Sequence, residues 1–313
     1  MTEKLPSFLI YSWIAEPLEK KIERSKIRIK QFYDKLDGQV YISTSGGKDS
    51  TVLLHLVRSL YPEVKAVNVA VPMYPETRRF LKTVDNLEVL IPKKTYQEVV
   101  ERWGYPVVSK EVSKNISRYI KGDEDTKRYR MYGIKKNGST GKVGVIPKKW
   151  RFMIDAPFKI SDECCNQLKK HPLTKYGKKT GTRPFIGILA TESHRRMRDF
   201  REKGCNIFVR GKEKGMPLSA WTERDIWDYI KLNKLPYSPV YDMGETRTGC
   251  LGCLFGCHRE KEPNRFQRLY YQHPKIYKYY IDDMGLGKIM DFMGLNYHPF
   301  EPPATQTTLS SFQ

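Results

Sequence analysis

Ser45-Gly46-Gly47-Lys48-Asp49-Ser50 lies between an alternating run, Gln39-Val40-Tyr41-Ile42-Ser43, and a helical pattern carrying Val52, Leu53, Leu56, Val57 and Leu60. The hydrophobic period changes across these six residues, so the order reads strand, loop, helix. Glycines let the loop turn its N–H groups inward, and the helix behind it aims the positive end of its dipole at the same point. The predicted occupant is an anion, most naturally a phosphate. Lys48 adds a point charge, while Ser45 and Ser50 add hydroxyl donors. The spacing is not that of a Walker loop, which needs G-x-x-x-x-G-K-[ST]. A plain strand-to-helix turn would have no use for two glycines, a lysine and two serines together. Asp49, at the opening of the helix, has two readings, a Mg²⁺ contact or a cap.

Two later stretches extend the pattern. Val67-Asn68-Val69-Ala70-Val71 reads as the next buried strand, followed by Pro75-Glu76-Thr77, and Gly187-Ile188-Leu189-Ala190-Thr191-Glu192-Ser193 precedes Arg195, Arg196 and Arg198. SGGKDS resembles the pyrophosphate loop of the adenine nucleotide alpha-hydrolase superfamily, in the branch of the phosphoadenosine phosphosulfate reductases. Pro75-Glu76-Thr77 is similar to that family's P-E-T element, here without the usual aspartate-threonine-glycine before it. The arginine stretch resembles the family's strand-then-arginine segment near the nucleotide. The resemblance runs over roughly residues 36 to 280. It implies an α/β fold with a doubly wound, mainly parallel sheet. It also implies that ATP or a sulfonucleotide is held by Ser45, Gly46, Gly47, Lys48, Asp49, Ser50, Glu76, Thr77 and Arg195, with Lys48 and Asp49 catalytic beside Mg²⁺.

Six cysteines occur, five of them in two groups, Cys164-Cys165 and Cys250, Cys253, Cys257, with Cys205 apart. Cys250-x-x-Cys253 alone suits zinc, a redox dithiol or half of a cluster. Adjacent side chains diverge on a helix or strand, so a vicinal pair suits separate irons of one cluster better than one tetrahedral zinc. The residues favour a [4Fe-4S] cluster and leave structural zinc and buried thiols open. The resemblance implies Cys164, Cys165, Cys250 and Cys253 as the cluster ligands, since adenylylsulfate reductases carry Cys-Cys and a distant C-x-x-C. Cys257, followed by His258, reads as an extra ligand, a reactive catalytic thiol or a small buried hydrophobe. Assimilatory reductases of the family attack sulfur with a cysteine in a Glu-Cys-Gly-Leu-His motif near the C-terminus. After Cys257 the sequence has no cysteine, and Leu309-Ser310-Ser311-Phe312-Gln313 lacks the motif. The expectation is therefore an adenylating, pyrophosphate-releasing sulfur transferase, as in related thiolation enzymes and DNA phosphorothioation proteins. Adenylylsulfate or phosphoadenylylsulfate reduction is the alternative, and a nucleic-acid-binding module with a structural metal is the third.

Fifty-six Lys and Arg face 35 Asp and Glu, a formal net charge of +21. Such an excess favours polyanionic partners. Much of it gathers between Lys110 and Lys179, in Lys127-Arg128-Tyr129-Arg130, Lys148-Lys149-Trp150-Arg151 and similar runs. Aromatics interleaved with cations suit base stacking and phosphate contact, so DNA or tRNA is the expected partner, with a sulfur donor such as a cysteine desulfurase. A merely solvated basic surface is the competing reading.

The chain divides into an N-terminal helical segment (1–36), a nucleotide-binding α/β domain (37–245) with a basic insertion at about 110–152, a C-terminal cysteine-containing helical segment (246–300) and a tail (301–313) expected to be disordered. Ser7 to Leu36 is expected as a helix across the core. Asp123 to Lys149 reads as an irregular insertion with Asn137-Gly138 at a hairpin tip. Thr222 and Asp225 form a capping-box pattern, and Trp221 and Trp227 read as packing residues. No apolar run reaches the roughly 18 residues of a membrane span, and Met1 to Pro17 lacks a signal-peptide layout, so no membrane partner and a cytoplasmic location are expected.

Overall fold

The computed structural model describes residues 4–299. The tail expected to be disordered lies outside them. The chain forms two compact units: residues up to Lys94 with Gln167–Cys250, and Thr95–Asn166 with the residues after Cys250. The second unit thus joins the basic insertion to the cysteine-bearing C-terminal segment, which linear boundaries do not convey.

The first unit holds a six-stranded sheet of β1 (Val40–Ser43), β2 (Ala66–Val69), β3 (Leu87–Leu90), β4 (Arg183–Ile186), β5 (Asn206–Ile207) and β6 (Lys214–Gly215), ordered β3-β2-β1-β4-β6-β5. All neighbours run parallel except β5 with β6. The chain moves outward from β1 to β3, then returns to lay β4 on the other side of β1. The segment leaving β1 therefore sits at the topological switch point, where open α/β sheets bind ligands.

Strand alternation explains why both faces are covered. Val40 and Ile42 join a core with Ile29, Phe32, Val52, Leu53, Leu56, Phe185 and Trp221, whereas Tyr41 meets Tyr176 with ring centroids 5.2 Å apart. Each such fully buried apolar side chain contributes about 1.5–3 kcal/mol. A sheet buried on both faces is the doubly wound arrangement the sequence predicts.

The opening segment is two helices, Ser7–Ala15 and Leu18–Lys35, not one. Pro17 removes a donor and drives Glu16 out of helical geometry, which ends the first helix. In the second, Ile29 and Phe32 are fully buried while Ile27 is 54% exposed. Ser25 ties this helix down by donating to Pro217 O at 2.9 Å and accepting from the buried Trp221 indole at 2.9 Å. The capping box at Thr222 and Asp225 forms, and Trp221 is a core residue. Lys21 reaches the same Asp225 at 2.6 Å.

In the second unit the predicted irregular stretch contains a helix, Glu124–Tyr132, capped by the Asp123 side chain. None of its residues is buried, so it lacks the apolar stripe by which an amphipathic helix is recognised. Beyond it, Ile134 pairs with Thr140 in a single antiparallel bridge around Asn137-Gly138, the expected hairpin tip. Among the described residues, no helix is long and apolar enough to cross a membrane.

Candidate nucleotide site

The 45–50 loop follows β1 and opens the helix Lys48–Arg58. Gly46 has φ +73°, and a Cβ there would lie 2.8 Å from the Thr77 methyl carbon, so glycine is required twice over. A Cβ on Gly47 would lie 2.5 Å from Thr248 Oγ1 and 3.2 Å from Tyr241 Oη. Ser50 donates to Gly47 O at 2.8 Å and accepts from the Ser45 N–H at 3.2 Å, closing the loop on itself.

Lys48 is 7% exposed, and its ammonium lies 3.2 Å from Glu223 and 3.5 Å from Asp49. Burial pulls its pKa down, but Asp49, Tyr241 and Glu223 outweigh that and hold it above the ordinary value. Lys48 is therefore a fixed cation at working pH. Burial pushes the Asp49 carboxyl up, opposed by Lys48 and by Arg196. The helix is not capped by Asp49: Gly47 is its N-cap residue, with no side-chain capping bond. The buried Asp49 Oδ1 has the Lys48 ammonium 3.5 Å away, with Arg196 and Glu223 acting on it at longer range, and as a carboxylate oxygen it is a suitable donor for a cation such as Mg²⁺.

The other expected nucleotide residues fall around this loop to different degrees. Glu76 and Thr77 begin the helix Pro75–Leu81; Thr77 Oγ1 meets Ser238 Oγ at 3.0 Å, and Glu76 pairs with Arg79 at 2.6 Å. Arg195 is exposed on the helix His194–Lys203, whereas its neighbour Arg196 acts electrostatically on Asp49. Burial lowers the Arg196 pKa, and Asp49 opposes that. Tyr241, Glu223 and Thr248 are loop neighbours that the motif did not indicate. They lie about 170–200 residues downstream, and no spacing rule connects them to it.

The cysteines divide between the units. Cys250 is the last residue of the first, whereas Cys164, Cys165, Cys253 and Cys257 belong to the second. Cys164 and Cys257 are buried, and Cys165 and Cys253 partly so. The 251–257 segment is held by backbone bonds from Leu254 N to Pro106 O at 3.2 Å and from Gly256 N to Val108 O at 2.8 Å, and by Tyr96 Oη donating to Gly252 O at 2.7 Å. Arg265 donates to Cys253 O at 3.1 Å and pairs with Glu260. Burial alone would lower the Arg265 pKa, but Glu260, and more weakly the Cys257 and Cys253 sulfurs, raise it. Thiols are the right donors for an iron–sulfur cluster. Among the described residues, however, no three or more His, Cys, Asp or Glu side chains converge to hold a metal ion. The four expected ligands are divided between the two units, Cys250 in the first and Cys164, Cys165 and Cys253 in the second, and no chemistry is derived through a cluster. Cys205, in the first unit, is buried and its thiol is pushed up to about 11 by burial, which makes it inert.

The family model of the phosphoadenosine phosphosulfate reductase domain matches residues 39–254, more than half of the chain, from β1 through the loop to Cys253. The chain belongs to the phosphoadenosine phosphosulfate reductase family. Within the family, an adenosine 5'-phosphosulfate reductase of Lysinibacillus sphaericus is 32% identical over 96 residues, 29% of this chain and 38% of that protein. An uncharacterized protein of Methanocaldococcus jannaschii is 22% identical over 266 residues, 83% of this chain and 46% of that one. The chain therefore spans less than half the length of either relative. The crystal structure of phosphoadenylyl-sulfate reductase from Candida auris, in complex with phosphate, aligns with 16% identity over 68% of this chain and 81% of that chain, at a TM-score of 0.40.

Proposed function

We propose that the chain binds an adenine nucleotide by its phosphates at the 45–50 loop and transfers its adenylyl group, releasing pyrophosphate, as the first step of sulfur transfer to a nucleic acid. The observation that carries this is the loop itself: a turn made by the positive-φ Gly46 leads into a helix N-terminus beside the buried Lys48 cation. An acceptor oxygen attacks the α-phosphorus, the bond from that phosphorus to the bridging oxygen breaks, and pyrophosphate leaves with the electron pair. Lys48 and the loop's N–H groups oppose the charge growing on it, which is electrostatic catalysis with no protein nucleophile. Asp49 would hold a Mg²⁺ ion against the phosphates, and the ion would neutralise part of the same charge. Sulfur from a donor such as a cysteine desulfurase then displaces AMP from the acceptor. The net charge of +21 supports DNA or tRNA as the acceptor.

A second reading is sulfonucleotide reduction, favoured by the adenosine 5'-phosphosulfate reductase relative and by the Arg265 cation held at the cysteine segment by its bond to Cys253 O at 3.1 Å. Product analysis separates the two. Anaerobic protein given ATP, with and without DNA or tRNA, is expected to release pyrophosphate and AMP, more with one nucleic acid. Lys48→Ala is expected to slow this about 100-fold or more, the loss typical of removing one charge-stabilising group. Sulfite from adenylylsulfate or phosphoadenylylsulfate, with no ATP turnover, would replace the first reading by the second.

A further inference from the structure

Each backbone N–H from Ser45 to Lys48 is already taken by a hydroxyl of this chain. Ser45 donates to Ser50 Oγ at 3.2 Å, Gly46 to Thr44 Oγ1 at 3.4 Å, Gly47 to Ser45 Oγ at 3.4 Å, and Lys48 to Tyr241 Oη at 2.8 Å. The first three bonds are long and local, and an incoming anion replaces them at little cost. The fourth is short and reaches across 193 positions of sequence. It uses the donor at the first turn of the helix, where the dipole most favours an anion.

Tyr241 is built into this place. Its ring meets Trp227 edge-on at 5.3 Å, the Lys48 ammonium lies 5.7 Å from its ring centre, and Thr248 hydrogen-bonds the same hydroxyl. Burial pushes the hydroxyl's pKa up, so it stays neutral at physiological pH. Tyr241 Oη and Thr248 Oγ1 fill the hollow beside Gly47 that a side chain there would otherwise enter.

We propose that Tyr241 is a plug that stands in for a phosphate oxygen at the loop, and that the ligand binds by displacing it. The inference rests on the nucleotide reading of the loop and adds how that site selects its ligand. A neutral hydroxyl accepts one N–H, whereas a polyphosphate accepts several and also gains the Lys48 charge and the helix dipole. Only an anion carrying several oxygens and charges, such as pyrophosphate or the triphosphate of a nucleotide, repays the loss of the plug. The plugged state lowers apparent affinity by the fraction of molecules in which the site is open.

The test is calorimetric titration of the whole chain with inorganic pyrophosphate. Tyr241→Phe keeps the ring packed on Trp227 and removes only the hydroxyl; it is expected to bind pyrophosphate about 3–10-fold tighter than wild type, the net worth of one hydrogen bond. Thr248→Val is expected to shift affinity in the same direction by less. Hydrogen exchange of the wild-type peptide covering residues 238–248 is expected to rise on adding pyrophosphate, a change that a purely structural Tyr241 would not show. If wild type binds and Tyr241→Phe binds equally or more weakly, the plug is wrong and the anion site stands. If wild type binds no better than Lys48→Ala, the loop is not an anion site and the plug falls with it.

Discussion

The 45–50 loop and the 250–257 cysteine segment show two ways of placing functional groups. The loop hangs on secondary structure: β1 delivers it, the helix Lys48–Arg58 receives it, and a positive-φ glycine makes the turn. Its chemistry is contiguous in sequence, so it positions itself wherever a strand, a glycine pair and a helix occur in that order. The cysteine segment 250–257 is itself neither strand nor long helix, only loop and the start of a short turn at Cys257. Backbone bonds to residues 106 and 108, the Tyr96 hydroxyl and the Arg265–Glu260 pair hold it, from three separate parts of the sequence. A self-positioning motif is fragile to changes of backbone geometry, whereas a segment held by distant partners is fragile to changes in those partners.

The first way to break this contrast is Gly46→Ala. It adds the cost of left-handed backbone to a Cβ contact of 2.8 Å with Thr77, and is expected to destabilise the fold by about 3 kcal/mol in urea unfolding. A loss under about 1 kcal/mol would mean that the loop relaxes and is not fixed by its glycine.

Next in size is Glu260→Gln, which removes the carboxylate paired with the Arg265 guanidinium, 12% exposed, and is expected to cost about 2 kcal/mol. Its pH dependence follows from the direction of the shift. Burial pushes the Glu260 carboxyl up, yet Arg265 outweighs that and holds it below its ordinary value of 4.5. The folded state then binds the proton less readily than the unfolded one. The pair's contribution is full above pH 4.5 and is lost as pH falls through the depressed value. Wild type minus Glu260→Gln stability, measured from pH 7 to pH 3, is expected to shrink only below about pH 4.5. A constant difference would show that charge is not what the pair supplies.

The smallest effect sharpens the comparison from the surface. Lys127 and Glu124 pair at 2.8 Å on the exposed helix Glu124–Tyr132, and Lys127→Ala is expected to leave the melting temperature within about 2 °C of wild type. A larger drop would mean that the basic insertion is held together by its charges.

The parts legible in the sequence share one property, locality. The strand-loop-helix order, the capping box at Thr222 and Asp225, the burial of Trp221 and the hairpin at Asn137-Gly138 each depend on residues within a few positions of one another. The split of the first helix at Pro17 is equally local: the proline, and not the apolar spacing of Leu18 to Phe32, sets where the first helix ends. The helix Glu124–Tyr132 was hidden because it buries nothing, leaving charge as its only signal. Tyr241, Glu223 and Thr248 were illegible for a different reason. They reach the loop only because the sheet order and the helix Glu223–Leu232 bring distant chain back to the switch point.

The central claim, that the 45–50 loop receives the phosphates of a nucleotide, is tested most directly by hydrogen-exchange mass spectrometry of the peptide spanning residues 44–52, with and without saturating ATP and Mg²⁺. Slower exchange of that peptide on adding nucleotide, abolished by Lys48→Ala, is the predicted result. Unchanged exchange there, with protection appearing elsewhere in the chain, would contradict it.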